Sequence, residues 1–112
     1  MTRPMLWREG LTPAEEALGW EGWNQQPGVY YSVRALAAAI RLYNRTLLDV
    51  CRARVLDCID LAPEVPQTAA NFYDGAHYTE AGARLVAKVV SEHFAGRPPF
   101  LGGRTVQSRM AR

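Results

Sequence analysis

Val55-Leu56-Asp57-Cys58-Ile59-Asp60-Leu61 is short, mostly apolar and rich in β-forming side chains, a composition that reads as a strand. It follows a firmly helical pattern. From Val33 to about Arg54, the residues Val33, Leu36, Ile40, Tyr43, Leu47 and Val50 recur at spacings of three and four, which puts them on one apolar stripe. Arg34, Arg41, Arg45, Asp49 and Arg52 fall mostly off that stripe, and Ser32 stands where an N-cap belongs. A long helix feeding a mostly buried strand is half of a βαβ unit, so the fold class expected is α/β with a parallel sheet.

Downstream, residues 62–78 carry Pro63, Pro66, Asn71 and Gly75 and read as a loop. A second helix is predicted from about Thr79 to Phe94. Its inner side carries Leu85, Val86, Val89, Val90 and His93, while Arg84, Lys88 and Glu92 face water. Gly96, Pro98 and Pro99 end it, and residues 96–112 are expected to form a flexible tail. Upstream, Thr12-Pro13-Ala14-Glu15 combines a Thr N-cap, Pro at the first helical position and a Glu that closes a capping box. That helix is brief because Gly19 follows Leu18, and residues 19–31 make an aromatic, glycine-rich loop. Residues 1–7 leave room for a second strand, cut short by the chain start. One strand between two helices has unpaired backbone groups along both edges. Read physically, the chain is therefore expected to be the closing portion of a larger α/β domain.

The bulk properties exclude more than they specify. A chain of 112 residues is one domain at most. With 48% hydrophobic and 21% charged residues, it has the make-up of a folded protein and not of a disordered one. A net charge of +2, spread over helix faces and the tail, lacks the dense basic stripe of a nucleic-acid binder. No apolar run approaches a membrane span, and no signal peptide is visible, so the compartment is open, with the cytoplasm as default. Cys51 and Cys58 match no common zinc spacing and read as two small buried apolar side chains.

The stretch that bears on chemistry is Phe72-Tyr73-Asp74-Gly75-Ala76-His77-Tyr78-Thr79-Glu80-Ala81-Gly82. It sets a carboxylate and an imidazole three residues apart on a tight turn that launches a helix, where an Asp can orient a His for proton transfer. Asp74-Gly75-Ala76-His77, followed by Thr79, Gly82 and Ala87, resembles the last block of the SGNH hydrolases, the GDSL family of esterases and lipases. Tyr43-Asn44 in the long helix and Asp60-Leu61 at the strand end resemble the elements that lead to it. The resemblance covers residues 33–95 well and residues 1–32 loosely. It implies that His77 is the general base toward a serine hydroxyl and that Asp74 holds its tautomer. It also implies the C-terminal portion of a three-layer α/β/α domain with a parallel sheet, an ester substrate, no cofactor and no metal, with Gly82 letting the helix approach its neighbours.

The family's Gly-Asp-Ser, Gly and Gly-x-Asn-Asp blocks are not in the chain. Ser32 lies at a helix start, Ser91 mid-helix and Ser108 in the tail, while Asn24, Asn44 and Asn71 lack the glycine context. The nucleophile and the oxyanion donors are thus expected in a missing N-terminal half of the domain, and this chain alone is expected to be inactive. Met1-Thr2-Arg3-Pro4 resembles the interior of a family member, so Met1 is read as an internal methionine taken as a start, or the gene as truncated; the third reading is that a separate chain supplies the first half. The alternative function is a small non-catalytic interaction module whose Asp–His turn is incidental. Trp20, Trp23, Tyr30 and Tyr31, together with Trp7, are candidates to line a substrate pocket, with plain loop packing as the other reading. Asp57 and Asp60 read as strand-end residues and not as metal ligands. His93 reads as a cation favoured at a helix C-terminus.

Overall fold

A computed structural model describes residues 1–19 and 26–97. The described residues form three helices, α1 (Pro13–Glu16), α2 (Val33–Arg54) and α3 (Glu80–Gly96), with a 3-10 turn at Ala62–Glu64. Each helix starts where side-chain chemistry provides a partner for its first N–H groups. Thr12 and Glu15 close a reciprocal capping box on α1, Ser32 accepts from Ala35 N–H on α2, and Thr79 accepts from Gly82 N–H on α3.

The α/β expectation is overturned. Among the described residues there is no strand and no sheet; Phe72 and Tyr78 form an isolated antiparallel bridge. The 55–61 run fails as a strand from its first residue. Val55 takes a left-handed conformation, φ 53°, as the cap of α2. Val55 N–H donates to the Arg52 carbonyl and Leu56 N–H to the Cys51 carbonyl, the paired bonds of a Schellman termination. Val55 is 92% exposed and Leu56 is exposed too, so the apolar run does not enter a core until Ile59 and Leu61. A strand also needs a ladder of partners. Residues 1–7 do run beside this segment, yet they form no second strand. Thr2 N–H donates to the Ile59 carbonyl at 2.9 Å, and the next bonds are made by side chains. The Thr2 hydroxyl donates to Asp60 Oδ1 and accepts from Ala62 N–H, each at 2.8 Å.

The N-terminal segment is the spine of the molecule. Asn44, midway along α2, grips the Arg3 backbone with both ends of its amide, accepting from N–H at 2.8 Å and donating to C=O at 3.0 Å. Gln67 donates to the Met5 and Trp7 carbonyls, and Leu6 N–H donates to the Gly75 carbonyl. Around this spine Leu6, Leu61, Val65 and Phe72 form the buried core, with Leu11, Leu18, Ile59, Tyr78, Val86 and Val89 packed against it. The inner face expected for α3 is the face that packs. The α2 stripe has no sheet to lie on: Val33, Leu36, Ile40 and Leu47 are half-buried, and Tyr43 and Val50 are exposed.

The cysteines are not free. Cys51 and Cys58 are joined in a disulfide that ties the last turn of α2 to the segment following it. No helix among the described residues is long and apolar enough to cross a membrane. The expected tail lies outside the described residues from position 98 onward, and α3 itself continues through Gly96.

Candidate functional site

Residues 71–79 form a small closed loop whose neck is stitched by backbone bonds. Thr79 N–H donates to the Asn71 carbonyl at 3.0 Å, and Tyr73 N–H donates to the His77 carbonyl at 3.2 Å. Alternation along the neck sends Phe72 inward, fully buried, and Tyr73 outward. On the inner side the Phe72 and Tyr78 rings meet at 5.2 Å. Below the neck, Gly82 sits against the Asn71 backbone so closely that an added Cβ would lie 2.2 Å from its carbonyl oxygen. Helix α3 can reach the loop only because that position is glycine.

At the tip, Asp74 is buried and fully used. Its Oδ1 accepts from Ala76 N–H at 2.8 Å and His77 N–H at 2.7 Å, the local side-chain-to-backbone pattern that Asp favours in turns. Its Oδ2 lies 2.7 Å from His77 Nδ1. Burial alone would raise the Asp74 pKa. The two backbone N–H groups and the imidazole outweigh it and hold the carboxyl at about 2. An ionised Asp74 accepts from Nδ1–H, so a neutral His77 carries its proton on Nδ1 and a lone pair on Nε2. Among the described residues nothing bonds Nε2, and the His77 side chain is 59% exposed. A carboxylate fixed by backbone, an imidazole fixed by the carboxylate and an open Nε2 can accept and return a proton.

The other expected site residues disperse. Trp20 and Trp23 lie outside the described residues. Tyr30 and Tyr31 are exposed. Trp7 is buried and, with Arg3, Met5, Leu36, Ala39, Ile40 and Tyr43, lines an apolar cleft of about 360 Å³ between the N-terminal segment and α2. Asp57 and Asp60 diverge: Asp60 accepts from Thr2, whereas Asp57 meets His93 Nε2 at 3.1 Å and Arg97 at 3.3 Å. His93 thus pins the end of α3 to the link after α2. Among the described residues no group of three or more His, Cys, Asp or Glu is arranged to hold a metal. Ser32 has its hydroxyl engaged as the α2 cap, and Ser91 lies exposed on α3.

One neighbour of the pair escaped the sequence reading. The Tyr73 ring lies over His77, centroids 5.7 Å apart and planes 12° from parallel. The available signal was an aromatic residue four positions before the His on a tight turn. Comparison with protein-family models, curated proteins and solved structures finds no match.

Proposed function

We propose that this chain supplies the proton-transfer pair of a serine ester hydrolase of the SGNH type. The reading rests on one observation, the 2.7 Å contact between Asp74 Oδ2 and His77 Nδ1 with Nε2 left open. In that role Nε2 takes the proton of a serine hydroxyl as it attacks an ester carbonyl. It then returns the proton to the departing alcohol, and the acyl-enzyme so formed is released by water through the same two transfers. Asp74 stays ionised throughout and stabilises the imidazolium. The serine and the oxyanion donors come from another segment or another chain, which also covers the open face of His77.

Without them the chain is silent, since each oxyanion donor accounts for about 3–4 kcal/mol of barrier. Against an activated acetate ester, wild type and His77→Ala are expected to show the same background rate. The deciding experiment starts from the reading frame upstream of Met1. Where the same gene supplies the serine, that frame encodes Gly-Asp-Ser, Gly and Gly-x-Asn-Asp segments. The polypeptide it encodes, co-expressed with this chain, gives ester hydrolysis that His77→Ala abolishes. An upstream frame closed by a stop codon, and no rate with any serine-bearing partner, would sink it. The helical fold favours a second reading, a non-catalytic interaction module, in which the exposed Tyr43 and Val50 of α2 are the binding face.

A further inference from the structure

We propose that Tyr73 is a positioning residue for His77, a role that rests on the proton-transfer reading above. Three features of the loop point to it. The neck register puts residues 73 and 77 opposite each other, joined by the Tyr73 N–H bond to the His77 carbonyl, so their side chains emerge on the same face. The buried Phe72–Tyr78 pair on the other face anchors that register. The Tyr73 ring, itself exposed, then lies nearly parallel to the imidazole, 5.7 Å away.

A single contact from Asp74 Oδ2 to Nδ1 leaves an exposed imidazole two freedoms. It can tilt about that contact, and it can turn over to present carbon where nitrogen is needed. A flat ring along one face obstructs both motions and keeps Nδ1 on the carboxylate. It also crowds that face, so the hydroxyl to be deprotonated is expected to arrive at the Nε2 edge or from the side away from Tyr73.

The test uses the full chain labelled with ¹⁵N-histidine at neutral pH, with His93→Gln separating the signals of the two histidines. Ring ¹⁵N shifts report the tautomer, and solvent exchange reports protection of the Nδ1 proton. Wild type and Tyr73→Phe are expected to hold the Nδ1–H tautomer. Tyr73→Ala and Tyr73→Leu are expected to mix tautomers and to exchange that proton about three- to tenfold faster, the range typical of one aromatic contact. Two substitutions guard against a variant that fails to fold. Unchanged tautomer and exchange in both variants would overturn the proposal, as would a Tyr73→Phe chain that behaves like Tyr73→Ala. Asp74→Asn separates the two levels of argument. If it destroys the Nδ1–H signature while Tyr73→Ala does not, only the role of Tyr73 fails. If it changes nothing, the Asp–His pair is absent in solution and both proposals fall.

Discussion

Asp74 concentrates the residue-scale physics of this chain. One buried carboxylate caps two backbone N–H groups and orients an imidazole, and its pKa falls from 3.8 to about 2. A group whose folded pKa is depressed adds stability above its unfolded value and loses it as pH falls through the folded one. The contribution of Asp74 is therefore complete above about pH 4 and fades toward pH 2. Asp74→Asn is expected to be less stable at pH 7 and to show a smaller loss between pH 4 and pH 2, read from urea midpoints at each pH. Gly82 gives a second residue-scale expectation. A methyl group 2.2 Å from the Asn71 oxygen meets backbone that cannot swing aside. Gly82→Ala should cost about 2–3 kcal/mol, on the scale of an overpacked core site, despite the better helix propensity of alanine. A urea midpoint equal to that of wild type would contradict this. Asp74 stood out in the sequence as part of a local turn pattern, whereas Gly82 was singled out only through the family resemblance. Tyr73 did not, since only folding of the neck brings it over His77.

At the scale of elements, the three helices were legible from periodicity and from the Thr12 and Ser32 caps, whereas the strand read at 55–61 is absent from the described residues. Val55 shows the cost of the stop that replaces it. A β-branched residue at φ 53° is strained by about 1–2 kcal/mol, and its side chain is almost wholly in solvent. Val55→Gly is expected to raise stability by about 1 kcal/mol, seen as a higher melting temperature with the same helix content by circular dichroism. A drop in melting temperature would show that the α2 terminus is built differently. The Cys51–Cys58 bridge closes this same stop. A loop so short stabilises by about 2–3 kcal/mol in the chain-entropy account. Reduction by a dithiol, or Cys51→Ser with Cys58→Ser, should lower the unfolding free energy from denaturant titration by that amount. The two treatments should agree, and reduction should then leave the double variant unaffected. Nothing in a seven-residue spacing announced the pair; the turn of chain after α2 is what brings the sulfurs together.

Across the whole molecule, the distribution of apolar surface is uneven. The core around Leu6, Leu61, Val65 and Phe72 is closed, whereas α2 keeps Leu42, Tyr43 and Val50 in the open. An uncovered face of this kind favours association. The chain is expected to bind a hydrophobic dye in its native state, and Tyr43→Lys with Val50→Lys should weaken that binding while helix content is kept. Dye binding that persists undiminished would locate the apolar surface elsewhere. Covering of this face by a serine-bearing segment, with loss of dye binding as hydrolysis appears, would join the α2 surface to the proposed chemistry.

Local order along the chain was enough to announce the helices, the Thr12 and Ser32 caps, the loop at 62–78 and the Asp–His turn. Each depends on residues within a few positions of one another, where backbone geometry leaves few choices. Long-range partnership was the part that had to be seen. A strand exists only if another strand meets it, and Thr2, Asn44 and Gln67 meet the neighbouring backbone with side chains instead. The same holds for the disulfide, the Asp57–His93–Arg97 clasp and the stacked Tyr73, all of which arise from contacts that no spacing encodes.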